Sequence, residues 1–191
     1  MTRDHPICAV LDACVLYPAA LRDVLLSATD ESLFRPVWSD EILAETDRAL
    51  ARSPRALTSE QRARLFNAVR RTFPDATVRI ASWPGPVPRL PDPHDEHVVR
   101  CALAADARLI VTMNLRDFPD PHLHPSGLAA VHPDRFLCTL AAWEPATLDR
   151  LVTEAALRMT HPPRSRDDFL DALERTVPRF AALMRGDLGE G

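Results

Sequence analysis

The sequence predicts an α/β fold: a doubly wound, mostly parallel sheet of four or five strands flanked by helices, with a helical C-terminal extension. Three observations carry this. Short all-apolar runs such as Ile7-Cys8-Ala9-Val10-Leu11 and Leu109-Ile110-Val111 lack the alternation of a half-exposed strand, so both faces must be covered. Stretches of helical periodicity lie between such runs, long enough for crossover helices. Beyond Pro133 only helical periodicity remains. The expected organisation is an α/β domain over residues 1–132 and a helical extension over 133–191.

The first strand runs from Pro6 to Leu11 and ends at Asp12. Leu16-Tyr17-Pro18 leads into a helix whose buried stripe is Ala20, Leu21, Val24, Leu25 and Ala28. Pro36-Val37-Trp38 reads as a very short strand. Ser39 then caps a helix to about Leu50, with Asp40 and Glu41 suitably placed in its first turn. On that helix Ile42, Leu43, Thr46, Ala49 and Leu50 form the buried arc, and Glu45 falls at its border, the acid best placed to reach inward. Thr58 begins another helix, and Thr77-Val78-Arg79-Ile80 reads as a third strand. The Pro-rich segment from Trp83 to Pro93 is a loop. Residues 95 to 106 form a helix on which Asp95 lines up with Val99 and Ala102, pointing with the apolar stripe where an ordinary solvated Asp would oppose it. Leu109 to Val111 is a buried strand ending in Thr112-Met113-Asn114-Leu115-Arg116-Asp117. Asp117 to Gly127 reads as a loop and Leu128 to Val131 as an edge strand. Three helices follow, over 134–142, 145–159 and 166–183.

Composition removes several chemistries. The formal net charge of −4 argues against a large constitutive DNA-binding face. All 23 basic residues other than histidine are arginine, so lysine-nucleophile and Schiff-base chemistry are excluded. Arg62, Arg64, Arg70 and Arg71 gather on one helix face, which reads as a solvated surface. Cys8, Cys14, Cys101 and Cys138 form no CxxC pair and read as reduced, buried thiols. The start Met-Thr-Arg-Asp-His-Pro lacks the apolar segment of a signal peptide, and no run approaches the roughly 18 apolar residues of a membrane span. A cytoplasmic protein without membrane association is expected.

The candidate site lies at the carboxyl ends of the strands, where open α/β sheets place their ligands. Asp12 ends one strand, and Asn114 and Asp117 follow another; Asp95 can reach the same rim if the Pro-rich loop brings it over. Asp is also a common cap and turn residue, so each acid alone has a structural explanation. Together, clustered carboxylates raise one another's pKa values and resist ionisation. A hard divalent cation such as Mg²⁺ or Mn²⁺ removes that penalty, and can orient and deprotonate a water for attack on a phosphodiester.

The residues carry a resemblance. Leu11-Asp12-Ala13-Cys14-Val15-Leu16-Tyr17-Pro18, Ser39-Asp40-Glu41-Ile42-Leu43-Ala44-Glu45, Asp92-Pro93-His94-Asp95 with Ala102, and Ile110 through Pro119 resemble the successive motifs of PIN domains, over about residues 7 to 131. The likeness is strongest to the bacterial VapC-type, toxin-like branch, and the tail is similar to helical extensions on some members. The resemblance implies a Mg²⁺- or Mn²⁺-dependent ribonuclease acting on RNA, with a cognate antitoxin and a homodimer. It implies Asp12, Glu45, Asp95 and Asp117 as the catalytic acids, with Asp12, Asp95 and Asp117 on the metal. Asp92, Asn114, Thr112 and Cys14 become accessory positions. One departure stands at Cys14, where the family usually has Asn: a thiol orients a carboxylate or water weakly, so activity could be reduced. A catalytically weak PIN domain that binds RNA, or is sequestered by an antitoxin, is the alternative. A dehalogenase-type phosphotransferase would need an Asp at position 14 and a Lys. Nucleotide-binding loops would need a Gly-rich turn. A zinc site from His94, His97 and Cys101 lacks a fourth ligand.

Overall fold

The structure, a computed structural model, describes residues 7–54, 56–158 and 165–187. In chain order the elements are β1 (Cys8–Leu11), α1 (Ala13–Leu16), α2 (Ala19–Asp30), β2 (Arg35–Val37), α3 (Asp40–Arg52), α4 (Ser59–Thr72), α5 (Glu96–Ala104), β3 (Leu109–Val111), α6 (Asp120–Leu123) and β4 (Ala129–Val131). Then come α7 (Pro133–Trp143), α8 (Pro145–Arg158), α9 (Arg166–Glu174) and α10 (Pro178–Arg185). The described residues of Met1–Tyr17 and Phe34–Val131 form one compact unit, and those of Pro18–Leu33 and His132–Gly191 a second.

The first unit is built on a four-stranded, all-parallel sheet in the order β2-β1-β3-β4. The apolar run Ala9-Val10-Leu11 is fully buried, as its lack of alternation requires. β1 pairs with β2 on one side and β3 on the other, so chain order reverses direction at the β1–β3 seam. That seam is the topological switch point of the sheet. In its register Leu11 faces Val111, which sets Asp12 beside Thr112. Helix α5 packs on β1 and β3 through a buried face of Val98, Val99, Cys101 and Ala102. Helix α3 packs on α1 and α5 and buries Ile42, Leu43, Thr46 and Leu50. Its start is fixed by Ser39, whose hydroxyl accepts the Ile42 N–H at 3.3 Å. Thr58 and Gln61 form a reciprocal capping box at the start of α4.

The second unit comprises α2 and α7 to α10, in contact as α9–α10, α7–α10, α8–α9, α2–α8 and α7–α8. It holds a buried carboxylate: Asp134, on the first turn of α7, accepts the Phe180 N–H at 2.8 Å and the Arg179 N–H at 3.3 Å. Those are the donors a helix leaves free at its N-terminus, so α7 caps α10. No helix among the described residues is long and apolar enough to cross a membrane.

Three expectations from the sequence are corrected. Thr77 to Ile80 is not a strand. Trp38 and Thr77 form one isolated parallel bridge, with Trp38 N–H to Ala76 O at 3.0 Å and Val78 N–H to Trp38 O at 2.8 Å. The neighbouring backbone then turns away at Ser39 to start α3, leaving nothing to pair with, and Ile80–Ser82 closes into a 3-10 turn. The segment Asp117–Gly127 holds the one-turn helix α6 and a 3-10 turn over His124–Ser126, ended by Gly127 at φ +70°. The single helix read over 166–183 is two, because Pro178 has no N–H to continue the first and sits instead at the start of the second. The helix read over 145–159 is observed to Arg158, and Met159 lies outside the described residues.

Candidate active site

Asp12 is the residue most tightly held. It ends β1, is 7% exposed, and stands at the N-cap of α1. Its Oδ1 accepts the Ala13 N–H at 2.6 Å. Its Oδ2 accepts the Thr112 hydroxyl at 2.7 Å and the Cys14 thiol at 3.2 Å. Thr112, fully buried just past β3, is fixed in turn by its N–H to Val131 O at 3.0 Å, and its hydroxyl accepts the Asn114 N–H at 3.1 Å. The Cys14 sulfur accepts the Met113 N–H at 3.2 Å. Cys14 thus receives one hydrogen bond and gives another, as a side-chain amide would. Burial first, and then the Asp12 charge, push its thiol up to about 12, so it stays protonated at neutral pH.

Asp92, Asp95 and Asp117 arrive on turns. Asp92 is exposed and caps the 3-10 turn Pro93–Asp95 by accepting the His94 N–H at 2.9 Å. Asp95 occupies the N-cap position of α5 yet makes no capping hydrogen bond, so its carboxylate is free for other work. Asp117 is half-buried on the 3-10 turn Leu115–Asp117, and Asn114 is exposed at the start of that turn. Glu45 is half-buried on α3. Asp95 carries the electrostatic signature of the group: burial, then the charges of Asp12, Asp92, Asp117 and Glu45, push its carboxyl up to about 6. Asp12, Asp92, Asp117 and Glu45 are thus each within electrostatic reach of Asp95.

Among the described residues, no three His, Cys, Asp or Glu side chains close around a common point at ligand spacing. Among the described residues Asp12, Asp92, Asp95 and Asp117 form no ion pair, whereas Asp47, Glu60 and Asp40 in the same unit are matched by arginine. Arg62 meets Asp47 at 2.8 Å, Arg64 meets Glu60 at 2.7 Å, and Arg70 meets Asp40 at 3.0 Å, so these three arginines of the basic face of α4 are neutralised. The site acids are left with excess negative charge and oxygen donors, the donor chemistry that suits a hard divalent cation.

His97 escaped the sequence reading except as a zinc candidate. Its Nδ1 lies 2.7 Å from the His94 carbonyl and its Nε2 lies 3.4 Å from Glu45 Oε2. Burial opposes charge on this ring, but Glu45 and the His94 carbonyl outweigh it, and the imidazole titrates above its ordinary value. Glu45 is far away in the chain, so no local spacing signals the pair. The cysteines are free, as expected, although only Cys101 is fully buried and the other three are half-buried.

The parallel sheet of order β2-β1-β3-β4 fits a PIN-like α/β domain, and the chain belongs to the PIN domain family, which it matches over residues 8–116. The tail matches a second family, the VapC50 C-terminal domain, over residues 133–186. Over 92 residues the chain is 40% identical to "Putative ribonuclease VapC50" of Mycobacterium tuberculosis (strain ATCC 25618 / H37Rv), covering 48% of this chain and 54% of that protein. The aligned region thus spans about half the length of that relative. These matches place the chain in the VapC-like branch of the family. No solved structure matches it.

Proposed function

We propose that this chain is a Mg²⁺- or Mn²⁺-dependent ribonuclease and the toxin of a toxin–antitoxin pair. The observation that carries the reading is the match to the PIN domain family over residues 8–116, and it is joined by the carboxyl of Asp95, pushed up to about 6 by burial and by the acids around it. Carboxylates crowded without a protein cation are costly unless something else neutralises them. Asp12, Asp95 and Asp117 would hold the cation. When bound, it would supply that neutralisation, activation of a water and stabilisation of charge on the leaving oxygen of a phosphodiester.

The chain's own residues do the rest. The Ala13 N–H, the Thr112 hydroxyl and the Cys14 thiol fix both oxygens of Asp12, so its carboxylate is presented in one orientation. Glu45 accepts the proton of the attacking water as general base. Arg116, exposed on the turn that carries Asp117, offers a cation to the phosphate strand. The acidic rim suits an arginine of an antitoxin, and a homodimer accompanies this role.

Cys14 at the family's Asn position supports a second reading, a PIN domain that binds RNA but cleaves it poorly. Incubating the purified chain with total RNA in Mn²⁺, Mg²⁺ or chelator, beside Asp95→Asn, separates the two. Cleavage by the wild type with metal alone, lost in the variant, supports the ribonuclease. RNA retained intact under every condition supports the binding module.

A further inference from the structure

We propose that the groove between the Pro-rich loop and the segment after Asp117 is a subsite for one unpaired nucleotide of the RNA, held by Arg89 and His122. The inference rests on the ribonuclease reading above. The groove has a volume of about 440 Å³, within the range of small-ligand sites. One wall is Pro86, Val87, Pro88 and Arg89, and the other includes His122 and Pro125. Its lining contains no acid, although the chain carries a net charge of −4. A cation beside apolar walls, with no carboxylate among them, suits the phosphate and the base of a nucleotide. Unpaired bases are held by stacking on His rings and Arg guanidinium planes, and both line this groove.

The groove is built in advance of any ligand. His122 Nδ1 lies 2.6 Å from the Arg89 carbonyl, which can only accept, so Nδ1 carries the proton and one hydrogen bond ties the two walls. The Trp83 Nε1–H donates to Pro86 O at 3.2 Å, and the indole lies so close to Gly85 that a Cβ there would stand 2.8 Å from it. Proline rings add apolar wall with no rotamer entropy to lose. Arg89 is exposed, and among the described residues its guanidinium makes no hydrogen bond or ion pair. Arg89 stands three residues before Asp92, so at most about 11 Å of chain separates them. Asp92 is itself within electrostatic reach of Asp95. His122 follows Asp117 by five residues on the other wall. Both walls thus continue into segments that carry site acids, and a strand with its phosphate at those acids has a flanking nucleotide within reach of the groove.

Two replacements separate the cation from the ring. Arg89→Gln removes the charge. His122→Asn keeps an N–H donor where Nδ1 stands and removes the stacking plane. Full-length wild type and both variants are compared by melting temperature, by fluorescence anisotropy with labelled RNA in chelator, and by kcat and KM in Mn²⁺. The RNAs are a single-stranded oligonucleotide, its duplex, and copies with one abasic position each. Each variant is expected to weaken single-strand binding about 5- to 100-fold, with a smaller loss on the duplex, whose bases are already stacked in pairs. In Mn²⁺, KM should rise more than kcat falls. One abasic position should weaken wild-type binding and cost His122→Asn nothing further. An abasic penalty that persists in full in His122→Asn overturns the inference. So does wild-type RNA affinity in both variants, whether or not their melting temperatures fall, and it leaves the groove to a protein partner. If His122→Asn fails to fold, Arg89→Gln decides, since that side chain has no bond to lose. A wild type that neither binds nor cleaves RNA removes the ribonuclease reading and this inference with it. A wild type that binds without cleaving, with both variants weakened, removes the ribonuclease reading alone. An active wild type matched by both variants removes this inference alone.

Discussion

At Asp12 two side chains converge on one carboxylate oxygen, the Thr112 hydroxyl and the Cys14 thiol. The thiol makes both bonds that an amide would make, donating to Asp12 Oδ2 and accepting the Met113 N–H. Cys14→Asn can therefore reuse both partners, and its amide need not be buried unsatisfied. The expected outcome is a stability change within about 1 kcal/mol and a gain of up to about 10-fold in Mn²⁺ affinity, since an N–H is the stronger donor. A destabilised variant with no gain would show that Cys14 packs as a small apolar residue. Asp95 gives a pH dependence. Its folded-state carboxyl, at about 6, binds its proton more tightly than the unfolded value of 3.8. The folded state holds more protons between those values, so the stability linked to this group is present below about pH 4 and is lost as pH rises through about 6. Denaturant unfolding in chelator should show wild type losing stability relative to Asp95→Asn across that window. Parallel curves would mean that Asp95 feels none of its neighbours.

At the scale of elements, how much the sequence revealed depended on whether the cause was local. The run Leu109-Ile110-Val111 was legible because an all-apolar triplet between turn signals has little choice but a covered strand, and β3 has those bounds. Ser39 was legible as a cap because its partner lies three residues on. Thr77 to Ile80 has strand-like residues but lacks a partner, and a partner is a tertiary property. Pro178 was in plain view as a helix breaker, yet the apolar periodicity around it masked the break. The acids at strand ends could be found by pattern; the His97–Glu45 pair could not, being made by the packing of α3 on α5. Asp134 is the element-scale counterpart of Asp12, a buried carboxylate joining α7 to α10. Asp134→Ala should cost about 1–3 kcal/mol in chemical unfolding, because two helix N–H groups lose their acceptor. Mn²⁺ affinity of the folded variant should match the wild type; a changed affinity would show that the tail is coupled to the acids.

For the whole molecule, the α/β unit and the helical tail each match a family of their own, over residues 8–116 and 133–186. A free ribonuclease harms its host, so expression of the chain alone should arrest growth, and Asp12→Asn should relieve the arrest. Equal arrest by both forms would argue against nuclease action. Beneath this lies the claim that the carboxylates at the β1–β3 seam form a cation site whose repulsion the cation relieves. Thermal unfolding with and without millimolar Mn²⁺, run on wild type and Asp95→Asn at neutral pH, tests it most directly. Ligand linkage adds about 2.7 kcal/mol at one hundred times Kd. The wild-type midpoint should rise with Mn²⁺, while Asp95→Asn should start higher without metal and stay there. A wild type unmoved by Mn²⁺, or a variant that shifts as far as the wild type, would contradict the account.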